Sequence, residues 1–228
     1  MKNIPMFTGQ YGMASLIFRE VPWCGRAYII IRSVWDGKKA AFLEECRQFC
    51  RVVGAEEIYA SWELEELPAV HAYDMIAMER EKAGLPAPRR EIELEVLSRE
   101  NGARYLDIYN TCFRPVPSAA SYDKADLKRL CGLDTAYLAK VDGQYAGVAE
   151  ISETGLEGIG VLPEFRGLGY DLALTVLPMV PRKTVQLIAA TVNERAIRLY
   201  ERLGFVRTGV ISRWWKLEKC SFVNDVRP

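Results

Sequence analysis

The sequence has no surplus of charge of either sign. Thirty lysines and arginines stand against thirty aspartates and glutamates, a formal net charge of +0 at pH 7, so there is no electrostatic footprint for a nucleic-acid backbone or an anionic membrane surface. Neither is an expected partner. No apolar run is long enough to span a bilayer, and the amino end, MKNIPMFTGQYGM, has neither the apolar core nor the cleavage site of a secretory signal. The expected location is cytoplasmic. Cysteine pairs of the CxxC type are missing, and the cysteines present (Cys24, Cys46, Cys50, Cys112, Cys131 and Cys220) read as reduced thiols in a chain with no secretory signal. Cys46 and Cys50 lie four apart in KKAAFLEECRQFCRVVG and share a helix face with Phe42 as small core residues; a metal site would need further ligands, and none is expected. Histidine is scarcer still. His71 stands alone in LPAVHAYDMIAMEREKAG, which reads as an amphipathic helix, and a lone histidine there is a packing or surface residue before it is a general base.

Apolar side chains, in contrast, are plentiful: 50% of the 228 residues are hydrophobic, enough to build the core of one large domain or two small ones. AGLPAPRR, Ala83 to Arg90, with closely spaced prolines after a glycine-ended segment, is an exposed connection. It sets a boundary between residues 1–86 and 87–228. Past it, EIELEVL alternates apolar and acidic residues as a half-buried strand, and SRENGARYLDIYNTCFRP repeats Tyr105, Leu106, Tyr109, Cys112 and Phe113 at helical spacing until Pro115. YDKADLKRLCG is a shorter helix. TAYLAKVDGQYAGVAEIS reads as two strands joined by Asp142 and Gly143, a dipeptide suited to a tight hairpin turn. A strand (LEGIGVL), a helix, a strand (VQLIAAT) and a helix from Asn193 to about Leu203 follow, with FVRTGVISRWWKLEK as a closing hairpin. The first eighty-odd residues repeat half of this order: strands at MASLIFREV and RAYIIIRSV, a helix at GKKAAFLEECRQFC, a strand at EEIYAS and a helix at AVHAYDMIAMERE. That repetition suggests a diverged internal duplication. The strand EIELEVL could close the first half or open the second.

One stretch, LPEFRGLGYDLAL, cuts an apolar run with a positive charge and two glycines. Arg166, Gly167 and Gly169 fall between a strand and a helix start, where backbone N–H groups lack partners and the helix dipole favours an anion. The guest that fits is a pyrophosphate; the plain alternative is an ordinary strand-to-helix connection. A second stretch, TVNERAIRLYERLGFV, places Asn193 at a helix start and Ala196, Ile197, Leu199, Tyr200 and Leu203 at helical spacing before Gly204 and Phe205.

Together, VLPEFRGLGYDLAL and NERAIRLYERLGF resemble the two signature motifs of the GNAT superfamily of N-acetyltransferases, over roughly residues 90 to 219. The resemblance implies an α/β (α+β) fold: a mixed, splayed β-sheet flanked by helices, with acyl-CoA in the gap between the strands LEGIGVL and VQLIAAT, preceded here by a degenerate GNAT-like half. It implies that the pantetheine arm pairs with backbone at Ile159, Gly160 and Val161, and that Arg166, Gly167, Leu168, Gly169, Tyr170 and Asp171 wrap the pyrophosphate. It further implies that Asn193 contacts the pantetheine, that Tyr200 protonates the departing thiolate, that Glu157 serves as base directly or through water, and that the Val161 N–H meets the oxyanion. Gly158 and Gly160 within a strand mark a close approach, by a ligand or by a packed helix.

Three departures stand out. Asp171 occupies a place where the family usually has glycine or alanine. Pro178 and Pro181 shorten the helix after the loop. SVWDGKKAAF in the first half has no arginine placed like Arg166, so that half is expected to bind no CoA. The expected activity is acetyl-CoA-dependent N-acetyl transfer to a small-molecule or peptide amine in a ternary complex, without a metal; a non-catalytic acyl-CoA sensor of the same fold is the alternative. The acceptor pocket is expected between Tyr109 and Tyr122 and around Trp214 and Trp215, aromatics that read equally as core or as a homodimer contact.

Overall fold

The structure, a computed structural model, describes residues 5–61, 69–117, 119 and 121–218; Cys220 lies outside them. The chain forms two compact units, one of residues 1–73 and 212–228, the other of residues 74–211. Among the described residues no helix is long and apolar enough to cross a membrane.

The first unit contains β1 (Met6–Thr8), β2 (Gly12–Ile17), a single-turn α1 (Val21–Cys24), β3 (Arg26–Val34), α2 (Lys39–Val52), β4 (Glu57–Ser61) and the start of β5 (Ala69–Glu81). Strands β1, β2 and β3 run antiparallel, and β4 lies parallel to β3 in continuous register from Arg26↔Glu57 to Ile30↔Ser61. Helix α2 covers one face of this sheet, burying Phe42, Leu43, Cys46 and Cys50 against Ala14, Leu16, Ile29 and Ile58. Burial pushes both the Cys46 and Cys50 thiols up to about 12, which leaves them as small apolar residues. Alternation along β3 turns Tyr28 to the other face, where its ring packs with Tyr59 and Trp214, and Tyr73 joins them. His71 and Trp215 meet edge to face at 5.3 Å. Trp214 is therefore core, and His71 is a packing residue at a ring edge.

The second unit contains the rest of β5, then β6 (Glu93–Val96), α3 (Gly102–Phe113), α4 (Lys124–Leu130), β7 (Ala136–Val141), β8 (Gln144–Ile151), β9 (Leu156–Val161), α5 (Gly169–Val176), β10 (Thr184–Ala190) and α6 (Glu194–Arg202). Strands β6 to β9 form an antiparallel sheet in sequence order. Asp142 and Gly143, at φ 51° and 73°, make the tight turn between β7 and β8. Strand β10 pairs antiparallel with β5, from Thr184↔Glu81 to Ala190↔Met75. Helices α5 and α6 pack one apolar core with Leu156, Leu187 and Ala189, while α3 packs a second core against Leu138 and Val148.

Two elements differ from the sequence reading. AVHAYDMIAMERE is strand β5, thirteen residues long, and not a helix. Methionine, alanine, glutamate and arginine favour helix locally, but the ladder to β10 satisfies the backbone of the segment it pairs and outweighs that preference. The first half therefore ends strand, strand, helix, strand, strand, and its likeness to the second half stops at β4. FVRTGVISRWWKLEK is likewise not a hairpin: Val206–Leu217 is one strand, β11. Gly209, the glycine within it, does not take positive φ, and the strand runs through it without reversing.

Candidate active site

Strands β9 and β10 lie parallel, yet they belong to different sheets. Their meeting point is a single bridge, Gly155↔Gln186, just before β9 begins, with the Gln186 N–H donating to the Thr154 carbonyl at 3.1 Å. From there the strands part toward their carboxyl ends. Both helices that follow, α5 and α6, start at the open end, which is the usual placement of a ligand crevice in a parallel arrangement.

Strand β9 is the edge of its sheet. The Leu162 N–H donates to the Ala146 carbonyl at 2.9 Å, so by strand alternation Ile159 and Val161 turn their N–H and C=O groups to the outer edge, away from β8. No described strand takes up those groups there. Gly160 turns its groups toward β8. Its lack of a side chain answers to α3: a Cβ at Gly160 would sit 2.7 Å from Cys112 Cβ, and one at Gly158 would sit 3.1 Å from the Phe113 ring. Helix packing accounts for both glycines.

The loop after β9 is a short 3-10 turn, Pro163–Phe165, leading through Arg166, Gly167 and Leu168 into α5. Gly167 takes φ 101°, and a Cβ placed on it would meet nothing within 4 Å among the described residues; glycine adopts that conformation without strain. Arg166 and Gly167 are exposed and Leu168 is buried. The backbone N–H groups of Arg166, Gly167, Gly169, Tyr170 and Asp171 donate to no described group, and no side chain caps α5. These open amides and the helix dipole make a cradle for an anion. Asp171 does not intrude on it: the residue is buried, and its Oδ1 accepts the Arg89 N–H at 2.8 Å.

Asn193 caps α6, its Oδ1 accepting the Ala196 N–H at 3.3 Å. Tyr200, on the buried face of α6, is 9% exposed and packs edge to face on Phe205. Burial raises its phenol to about 12, and the hydroxyl bonds to no described residue. Glu157 is the extra residue of a β-bulge, since Glu150 pairs with Gly158 while Ile151 pairs with Leu156. It is exposed, and the bulge breaks the alternation that would align it with Ile159 and Val161.

A carboxylate not anticipated from the sequence stands across from Gly158. Glu150 on β8 is buried and accepts the Tyr122 hydroxyl at 2.8 Å, while Tyr122 stacks on Tyr109 at 3.8 Å. The signal was a lone acid inside the apolar run GVAEIS. The aromatics expected to wall an acceptor pocket are thus packed on each other. A recess of about 570 Å³ lies elsewhere on α3, lined by Arg104, Asp107, Gln144, Tyr145 and Glu164 among others; Tyr200 and Asn193 do not line it. Among the described residues no group of acidic, histidine or cysteine side chains is arranged to hold a metal.

Residues 103–205 match the model of the acetyltransferase (GNAT) family. No curated protein sequence matches the chain. Among solved structures, a conserved protein of unknown function from Staphylococcus epidermidis is similar over 96% of this chain and 96% of its own, with TM-score 0.60 at 18% identity. A GCN5-related N-acetyltransferase from Sphaerobacter thermophilus is similar over 90% of this chain and 75% of its own (TM-score 0.55, 17% identity). A tandem GNAT protein from the clavulanic acid biosynthesis pathway is similar over 90% and 78% (TM-score 0.54, 17% identity). The parted strands, the amide-lined loop and the family match agree: residues 103–205 of this chain are similar in sequence to the GNAT acetyltransferase family, and the fold is similar to that of solved GNAT proteins.

Proposed function

We propose that the protein transfers an acetyl group from acetyl-CoA to an amine in a ternary complex. The observation that carries this is the continuity of two unsatisfied backbone surfaces, the outer edge of β9 at Ile159 and Val161 and the open amides from Arg166 to Asp171. An amide-bearing pantetheine arm would complete the first and a diphosphate the second.

Arriving as an ammonium, the acceptor loses a proton to Glu157, directly or through water, and its nitrogen attacks the thioester carbonyl. A C–N bond forms and the oxyanion takes the Val161 N–H, which faces the same edge. The C–S bond then breaks, Tyr200 passes its proton to the leaving thiolate, and the second proton of the attacking nitrogen leaves the new amide through water to restore the phenol. A phenol held at about 12 is protonated at neutral pH and available for this step. The thiol that packs over β9, Cys112, is pushed up to about 11 by burial, so it is no nucleophile at neutral pH, which favours direct attack over an acyl-enzyme. Asn193 retains its amide N–H groups for the pantetheine. Transfer chemistry is assigned to residues 87–228. In the first 86 residues, β3 and β4 pair without a gap, consistent with a tandem partner that has no CoA site.

The test is calorimetric titration with acetyl-CoA. Saturable binding is expected, with Gly169→Glu weakening it by about two orders of magnitude through charge repulsion at the amides; no saturable binding would overturn the proposal. A non-catalytic acyl-CoA-binding module is the second reading, supported by the bulged, partnerless Glu157. Binding without thioester consumption across a panel of amines would favour it.

A further inference from the structure

We infer that the connection before β6 belongs to the CoA site, with Arg89 and Arg90 selecting acyl groups carried on free CoA by its 3′-phosphate. This rests on the acetyl-CoA reading above. Asp171 fills a position where a carboxylate would repel a diphosphate, but its side chain is buried and holds the Arg89 backbone N–H at 2.8 Å. That bond fixes the arginine pair beside the first turn of α5. Leu85 packs on the core under α5 and α6, and the Lys82 N–H donates to the Lys183 carbonyl at 2.8 Å, so the connection is docked along its length.

The same helix mouth gathers further cations. Arg166 lies in the loop itself, and the Arg202 guanidinium stands 5.0 Å from the ring centre of Tyr170, the second residue of α5. Arg89, Arg90 and Arg166 make no ion pair among the described residues and are exposed. Glu91 and Glu164 are the nearby acids in sequence, and Asp171 is engaged by the Arg89 N–H, so the segments that meet here carry more arginines than unengaged carboxylates in a chain whose net charge is +0. A diphosphate brings about two negative charges, which the open amides and Arg166 already meet. The added guanidiniums suit a further phosphate, carrying about −1.5 to −2 at neutral pH. A thioester on the phosphopantetheine of a carrier protein has no such group.

The test compares acetyl-CoA with acetyl-dephospho-CoA, which lacks only the 3′-phosphate, by calorimetry on the full chain. The intact protein is expected to prefer acetyl-CoA by about tenfold or more. Arg89→Gln with Arg90→Gln, both on the surface, should cut that ratio to about threefold or less while leaving affinity for the dephospho compound within about threefold. Asp171→Ala should lower the ratio in the same way, and Asp171→Asn, which keeps an acceptor oxygen, should retain it. The inference is overturned by equal affinities in the intact protein, by an unchanged ratio in the arginine variant, or by equal loss of both ligands. Binding of neither compound by the intact protein would overturn the acetyl-CoA reading itself, whereas binding of both alike would overturn only the role of the arginines.

Discussion

Gly155 and Gln186 are the hinge of the cleft: a side-chain carbon on Gly155 would lie 2.1 Å from the Gln186 carbonyl oxygen. Because two backbones touch there, β9 and β10 can begin together and separate further along. Gly155→Val forces the contact open, and a loss of about 1–3 kcal/mol is expected, as for other overpacked sites. Urea unfolding of the variant measures it; a change under about 0.5 kcal/mol would show that the junction yields freely.

Gly160 separates packing from binding. A methyl group there meets Cys112 on α3 and not the outer edge of β9. Gly160→Ala should lower stability by about 1–3 kcal/mol, and acetyl-CoA affinity measured well below the melting temperature should change by less than about threefold. A selective loss of affinity at unchanged stability would contradict this.

Tyr200→Phe removes the proposed acid while keeping the ring against Phe205. Turnover should fall by about 10²-fold with little change in acetyl-CoA affinity, within the range of general acid catalysis. Since burial holds the phenol at about 12, the proposed transfer by the intact protein should show no alkaline loss of rate from this group below about pH 10. A rate unaffected by the substitution would remove Tyr200 from the mechanism.

Glu95 supplies a pH test of the fold. Hydrogen bonds from Asn101, Lys140 and Tyr145 lower its carboxyl from 4.5 to about 2. A depressed carboxyl contributes stability above its unfolded value, and that contribution fades as pH falls from 4.5 toward 2. Glu95→Gln should therefore cost up to about 1 kcal/mol at pH 7, since the site is partly exposed and screened. Melting temperatures of the two proteins should converge toward pH 2; a gap independent of pH would refute the linkage.

The limits of the two helices that start at the cleft were legible in the sequence because they are local. Pro178 sets where α5 gives way to a short 3-10 turn, Leu177–Met179, and Asn193 announces α6 through its cap. What failed to show depends on distant partners. The helix-favouring residues of β5 yield to β10, which is more than a hundred positions away in the chain. The bulge at Glu157 arises from the pairing of β8 with β9, so period-two counting could not place that side chain. Asp171 looked like a defect in the loop because its partner, the Arg89 N–H, lies on the other side of four strands in sequence.

In the first unit, β3 and β4 stay hydrogen-bonded from Arg26↔Glu57 to Ile30↔Ser61. Their facing edges are saturated by one another, so a thioester tail would have to break a ladder to enter. Under the proposed acetyl-CoA reading, calorimetric titration should then count one site in these 228 residues, with none in the first unit.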